Sequence, residues 1–257
     1  MFPKKSLGQY FLRCPWVIEE LLRAAEINQN DTVLEIGPGT GTLTRPLAHA
    51  AKKVIAVEKD ERLAAALANT LKKEEVSNVE IIPADILDLL NFDITYKLSA
   101  KSYKLVANIP YYLTSRLLRL VLEQETLPQT IILTVQKEVA ERICAVVPNM
   151  SLLALSIQLY AKPLIKKFVP RECFSPKPSV DSAVISISPR KINFFSEHGL
   201  DPNIFFTITK KAFGQKRKTI GHSLALKNIL LPPSLKRKRP QDLTPEEWTA
   251  IIRALVL

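Results

Sequence analysis

The feature that most constrains this chain is the junction of Thr32-Val33-Leu34-Glu35-Ile36 with Gly37-Pro38-Gly39-Thr40-Gly41. A β-rich run, a glycine-rich turn and resumed helical character over residues 43–50 make the first unit of a nucleotide-binding α/β fold. Glycines in such a turn let the backbone approach a ligand closely. The spacing is G-x-G-x-G, unlike the dinucleotide G-x-G-x-x-G, and an acidic residue stands just before the first glycine. Both features argue against a pyrophosphate ligand.

A second apolar run, Val54-Ile55-Ala56-Val57, ends in Glu58, 21 positions after Gly37. An acidic residue at that place is set to take both hydroxyls of a ribose. The spacing of Leu63, Leu67 and Leu71 predicts a helix over residues 60–73 whose leucines are core. A third run, Val79-Glu80-Ile81-Ile82, leads to Asp85, which suits an adenine amino group and equally suits a turn or a helix cap. A fourth, Lys104-Leu105-Val106-Ala107, opens onto Asn108-Ile109-Pro110-Tyr111-Tyr112. A glycine loop and three polar residues thus fall at the carboxyl ends of successive strands, the edge where open α/β sheets bind ligands.

An amide, a proline and two aromatics after a buried strand form a rigid platform for something flat. The Asn108 carbonyl oxygen and the backbone carbonyl of Ile109 or Pro110 are acceptors, and Tyr111 offers a face for a base. Together they suit an exocyclic amine whose lone pair is delocalised into its ring. Two accepted hydrogen bonds favour the pyramidal, nucleophilic form of such an amine, and no general base is then needed. The plainer reading is a strand-to-loop turn with aromatics filling a gap.

Composition narrows the classes. The chain has 257 residues, 47% of them hydrophobic and 24% charged, which suits one large core plus a small second domain. Its apolar stretches stop short of a membrane span, and Met1 leads directly into Pro3-Lys4-Lys5 without an apolar signal region, so a soluble, cytoplasmic protein is expected. Cys14, Cys144 and Cys173 are odd in number and far apart, suggesting neither a disulfide framework nor a metal site, and three scattered histidines add no metal signal. The formal charge is +11, and the segment from Lys191 onward holds 12 Lys/Arg against 5 Asp/Glu. A basic tail behind a near-neutral body points to a polyanion, with nucleic acid the commonest, or simply to a solvated face.

The series Gly8-Gln9-Tyr10-Phe11-Leu12, Glu35 to Gly41, Val57-Glu58, Ala84-Asp85 and Asn108-Ile109-Pro110-Tyr111 resembles the ribosomal RNA adenine N6,N6-dimethyltransferases. The likeness continues through residues 136–142 and 173–182 and into the basic tail. It implies a class I methyltransferase fold, α/β and Rossmann-like, with a mostly parallel seven-stranded sheet and a small C-terminal helical domain. The division expected is a catalytic domain with an N-terminal arm at 1–190 and a basic RNA-recognition domain at 191–257.

By the same resemblance the cofactor is S-adenosylmethionine, held by Tyr10, Leu12, Gly37, Gly39, Glu58, Asp85 and Asn108. Asn108 and Pro110 would position the target amine, and Tyr111 and Phe174 would clamp the extruded base; Phe174 alone also reads as a core aromatic anchoring the Pro176 and Pro178 loop. No metal is implied. Lys216, Arg217 and Lys218, with Lys236, Arg237, Lys238 and Arg239 in a loop between two helices, suit an RNA backbone. Helices are expected over 201–213, 217–229 and 245–255, the last capped by Thr244 with Glu247 three positions on. A last strand over 182–187 is expected to close the sheet.

Two stretches depart from the family pattern: Tyr10 stands where Asn or His is commoner, and residues 145–152 lack its longer glycine- and lysine-containing loop. The activity implied is dimethylation of two adjacent adenosines in a 3′-terminal hairpin of small-subunit rRNA, within pre-ribosomal particles, by a monomer. The rivals are a large-subunit rRNA methyltransferase of the antibiotic-resistance branch, a DNA adenine methyltransferase, and a non-catalytic assembly or nucleic-acid-binding factor on the same fold.

Overall fold

The computed structural model describes residues 9–91, 102–226 and 229–256. The arm residues 4–8 and two positions of the expected helix 217–229 lie outside them. The chain divides into two compact units, one formed by Met1–Ala140 with Pro163–Pro189 and the other by Glu141–Lys162 with Arg190–Leu257.

In the first unit a short strand, β1 (Phe11–Leu12), precedes helix α1 (Pro15–Ala25). Pro15 sits in the first turn of α1, where its missing N–H costs nothing, and Val17, Leu21 and Ala25 form the buried stripe. Then strands and helices alternate: β2 (Thr32–Ile36), α2 (Thr44–Ala50), β3 (Lys53–Glu58), α3 (Glu61–Lys73), β4 (Val79–Pro83), α4 (Ile86–Asn91) and β5 (Lys104–Asn108). A 3-10 turn at Tyr111–Leu113 leads into α5 (Thr114–Leu122), followed by β6 (Ile131–Gln136) and α6 (Lys137–Ile143). After the second unit's α7 (Leu152–Gln158) come β7 (Ala161–Val169), β8 (Phe174–Ser175) and β9 (Ser182–Pro189).

Seven of these strands form one sheet in the order β4-β3-β2-β5-β6-β9-β7. The pairs among β2 to β6 are parallel, and β2, β3, β5 and β6, covered by helices on both faces, are nearly continuous apolar runs, whereas β4 at the sheet edge buries only Ile82. Register aligns the functional ends, with Ile36 opposite Val57, Glu58 opposite Pro83 and Asn108 opposite Thr134. The order reverses between β2 and β5, so the glycine loop and Asn108 flank the switch point, where a crevice opens. β9 is antiparallel to β6 and lies between β6 and β7. It is therefore the last strand in sequence but an interior one, and its first six residues are all buried instead of alternating.

One sequence expectation is overturned here. Cys14 and Cys173 are joined by a disulfide, their Cα atoms 5.0 Å apart across 159 residues of sequence. Sequence distance concealed the pairing of β1 with β8, which sets Phe11 against Ser175 and Leu12 against Phe174 and lets Arg13 N–H donate to the Cys173 carbonyl at 2.8 Å.

The second unit is helical: α7 is joined by α8 (Phe194–His198), α9 (Pro202–Phe213), α10 (Ile220–Ser223), α11 (Pro233–Arg237) and α12 (Pro245–Val256). Its core packs Phe194, Phe195, Phe205, Phe213 and Trp248 with Ala154, Leu155 and Leu159. The boundary expected at 190 accordingly misses residues 141–162, because the buried face of α7 belongs to this core. Among the described residues, the helix expected over 217–229 is the four residues of α10; Ala225 at φ 57 has a left-handed backbone that ends it. Lys236 and Arg237 lie in α11, not in a loop. The capping box at α12 is present: Glu247 N–H donates to Thr244 Oγ1 at 3.3 Å, and Thr244 N–H donates to Glu247 Oε2 at 3.0 Å.

Candidate active site

A cleft at the carboxyl ends of β2 to β5 is lined by Tyr10, Phe11 and Leu12 of the arm, the loop Gly37–Gly39, Glu58, Asp85 and Asn108–Pro110, with Glu35 at its base. Every candidate cofactor residue named from the sequence is in this lining. The glycine loop takes its shape from Gly37, Gly39 and Gly41, all at positive φ. At Gly39, φ is 58° and an added Cβ would stand 2.9 Å from Phe11 Cε1, so a side chain there is excluded twice over.

Glu58 is buried, and both carboxylate oxygens accept backbone hydrogen bonds, Oε2 from Gly39 N–H at 3.0 Å and Oε1 from Asp60 N–H at 2.9 Å. It thus fastens the end of β3 to the glycine loop while each oxygen keeps a lone pair for a ribose hydroxyl. Burial raises its pKa, partly offset by the Asp60 and Gly39 N–H groups. Asp85 takes the turn part the sequence offered, and it also lines the cleft. Its Oδ1 accepts from Leu87 N–H at 2.9 Å as a turn residue, and its Oδ2 pairs with Lys59 Nζ at 2.7 Å on the cleft wall. Burial acts to raise its pKa, but the Lys59 and Leu87 hydrogen bonds prevail and hold it below the usual aspartate value.

Glu35 is the least ordinary group in the cleft. It is 1% exposed, and its Oε2 has no hydrogen-bond partner among the described residues. Its carboxyl is pushed up to about 8, first by burial and further by the charge of Glu58, with Thr44 acting in the opposite sense. The sequence offered the glutamate only as an argument against pyrophosphate; its burial in β2 beside the cleft singles it out.

Asn108 ends β5 and donates through Nδ2 to the backbone carbonyl of Tyr10 at 3.0 Å. This bond occupies the amide nitrogen and leaves Oδ1, a pure acceptor, in a residue that lines the cleft. Of the two backbone acceptors considered, the Pro110 carbonyl already has one lone pair taken by Leu113 N–H at 3.0 Å, which favours the Ile109 carbonyl as the second. Tyr111 is anchored by a 2.7 Å hydrogen bond between its hydroxyl and that of Ser182, and burial raises its pKa. The ring stacked on Tyr111 is that of Tyr10, at 5.3 Å between centroids and 26° between planes. Phe174 is placed elsewhere: it is 3% exposed, in the core cluster with Leu12, Val169 and Cys173, which accords with the plainer reading of that residue. Phe11 and Ser182 were not found from the sequence, because only the β1–β8 and β6–β9 pairings bring Phe11 to the cleft and Ser182 to the Tyr111 hydroxyl.

In the second unit, Lys216, Arg217 and Lys218 are exposed, and Ile220 N–H donates to the Lys238 carbonyl at 2.8 Å, so the two basic runs adjoin. Lys238 Nζ is itself paired with Glu247 Oε1 at 2.5 Å.

A switch-point cleft with a G-x-G-x-G loop, a ribose-spacing glutamate and an Asn-Ile-Pro-Tyr platform defines a class I methyltransferase. Comparison with known proteins narrows this: residues 3–234 match the family model described as ribosomal RNA adenine dimethylase, and the chain belongs to that family. It is 38% identical to ribosomal RNA small subunit methyltransferase A of Dehalococcoides mccartyi, over 95% of this chain and 86% of the relative. It is 36% identical to the protein of the same name from Clostridioides difficile, over 96% and 89%. Among solved structures, a dimethyladenosine transferase from Plasmodium falciparum superposes with a TM-score of 0.77 at 26% identity, covering 96% of both chains. The 23S rRNA methyltransferase ErmE superposes with a TM-score of 0.70 at 26% identity, covering 96% of this chain and all of the other.

Among the described residues no helix is long and apolar enough to cross a membrane, and no cluster of His, Cys, Asp or Glu is arranged to hold a metal ion.

Proposed function

We propose that this protein transfers methyl groups from S-adenosylmethionine to N6 of two adjacent adenosines in a 3′-terminal hairpin of small-subunit rRNA within assembling ribosomal particles. The observation that carries the reading is Asn108, which lines the cleft with the glycine loop and whose Nδ2 is committed to the Tyr10 carbonyl, leaving Oδ1 as the side chain's acceptor. The substrate branch follows the names of the bacterial relatives, with which the chain aligns over nearly its whole length.

The cleft fits the cofactor on its own terms. Glu58 would take the ribose hydroxyls, Asp85 the adenine amino group, and the unpartnered Oε2 of Glu35 suits a cationic group at the base of the cleft. Bound there, the sulfonium supplies an electrophilic methyl group. Asn108 Oδ1 and the Ile109 carbonyl would accept the two amine hydrogens and turn the nitrogen lone pair out of conjugation. Tyr111, held at its hydroxyl by Ser182, would stack on the base. No side chain has to remove a proton, because the methylated ammonium is acidic enough to lose its own to water. Catalysis then rests on positioning and on keeping water away from the donor. The basic runs of the second unit would hold the RNA backbone without reading sequence.

The test is mass spectrometry of nucleosides from immature small-subunit particles and from protein-free large-subunit rRNA, each incubated with the protein and S-adenosylmethionine. N6,N6-dimethyladenosine in the small-subunit sample alone supports the reading. Product in the large-subunit sample alone would transfer the protein to the resistance branch, and product in neither would favour a binding factor.

A further inference from the structure

Tyr10 and Tyr111 are neighbours in space but not equals in constraint. Tyr111 is fixed at both ends: its hydroxyl bonds to the fully buried Ser182 at 2.7 Å, and its carbonyl accepts from Thr114 Oγ1 at 3.0 Å. Tyr10 lies one residue outside the β1–β8 pairing, which begins at Phe11. Beyond that pairing the chain is tied again by the Arg13 N–H to Cys173 carbonyl bond and by the Cys14–Cys173 disulfide. Among the described residues the Tyr10 carbonyl is held by Asn108 Nδ2 at 3.0 Å, while its ring stacks on Tyr111 and packs against the core of the first unit.

The ring separation decides what this arrangement can do. Stacked rings sit about 3.5 Å apart, so a base sandwiched between two tyrosines needs roughly 7 Å between the outer rings. At 5.3 Å between centroids there is no room for a third ring. We propose that Tyr10 is a residue of the adenine site: its ring occupies the base-binding face of Tyr111 and is exchanged for the incoming target base. The inference rests on the proposed role of Tyr111 as the stacking platform. The exchange is a rotation about Cα–Cβ of Tyr10 that also gives up its packing on the core, while the carbonyl that orients Asn108 is backbone and stays where it is. The apolar face of Tyr111 is therefore covered without substrate, and a base gains it only by outcompeting a tyrosine ring. An extruded purine, with its larger stacking surface and two acceptors for its amine, is suited to do so. An unflipped base is not, because it offers neither.

The probe is a short RNA hairpin carrying 2-aminopurine at the target position, which has no 6-amino group for the two acceptors and so isolates the stacking part of the competition. The protein is titrated until fluorescence anisotropy reports full RNA binding, and the 2-aminopurine intensity then measures base docking separately. Tyr10→Ala keeps the backbone carbonyl and removes the competing ring, so the docked-to-undocked ratio should rise roughly 3- to 10-fold over wild type. Tyr10→Phe keeps a ring of the same size and should retain the competition. A Tyr10→Ala signal equal to or weaker than wild type overturns the exchange. Tyr111→Ala separates the two ideas: if it abolishes docking, the base-site reading stands whatever Tyr10 does, and if it leaves the signal unchanged, the base-site reading itself falls.

Discussion

The amide nitrogen of Asn108 and the carbonyl oxygen of Tyr10, 98 positions apart in sequence, are joined by a 3.0 Å hydrogen bond. This bond makes the N-terminal arm part of the site's geometry, because an amide whose nitrogen is occupied presents its oxygen in one direction only. The arm also supplies Phe11 against Gly39. A single extended stretch therefore orients the proposed amine acceptor, packs the cofactor loop and covers Tyr111.

Asn108→Ala removes the acceptor and should lower methyl incorporation by about 10²–10³-fold, as loss of a preorganised hydrogen-bonding group does, while RNA affinity stays within about twofold. Asn108→Asp keeps an acceptor but sets a carboxylate against the Tyr10 carbonyl, so it should also be inactive and should increase proteolysis of the arm. Wild-type turnover by either variant would remove Asn108 from the site.

Much of this was legible beforehand, for physical reasons. Parallel strands buried on both faces must be apolar, so β2, β3 and β5 stood out, and the edge strand β4 did so by its β-branched residues; the residues ending them fell along one edge. Glu58 and Asp85 were findable because the βαβ spacing fixes them. What could not be read were relations that only tertiary pairing creates. The Cys14–Cys173 link, the Phe11 contact with Gly39 and the Ser182 anchor of Tyr111 join residues far apart in sequence. Phe174 carried the right residue type near the right motif, but the β1–β8 pairing turns it into the core, and Tyr10 is the ring found on Tyr111. The segment 141–162 was misplaced because α7 has an apolar face whichever core receives it.

Gly39→Ala should be costly beyond its size. The left-handed backbone at φ 58° and the contact of the new Cβ with Phe11 together should cost about 2–4 kcal/mol of stability. Urea unfolding would register the loss, and Phe11→Ala in the same background should recover the steric share but not the backbone share. Full additivity of the two substitutions would show that the Phe11 contact is unimportant.

Neutralising Lys216, Arg217 and Lys218 together should weaken RNA binding and reduce the slope of log affinity against log salt by roughly 2 to 3. Lys238→Ala alone should change the slope much less than Arg237→Ala, because Lys238 is already paired with Glu247 whereas Arg237 is exposed. Binding titrations across a salt series would decide this, and equal slopes for the two single variants would mean that the Glu247 pair opens when RNA binds.

Glu35 predicts a pH dependence of defined sign. Its carboxyl lies near 8 in the folded protein against an ordinary value of 4.5, so between those values the native state holds a proton that the unfolded chain has lost. Stability should consequently fall as pH rises through that window, with a contribution from this group of at most about 1.4 kcal/mol per pH unit, and level off above pH 8. Glu35→Gln, which cannot ionise, should remove this contribution, so that the variant gains on wild type steadily from pH 5.5 to 8 in urea unfolding; parallel profiles would mean that Glu35 is ionised throughout. Cofactor binding supplies the complementary test. A cationic group beside Oε2 favours the carboxylate, so binding near pH 6.5 should release close to one proton in calorimetry run in buffers of different ionisation enthalpy, and affinity should rise toward pH 8. Glu35→Gln should release none from this site. Proton release unchanged by the substitution would assign the released proton to another group and leave Glu35 as a buried acid without contact to the ligand.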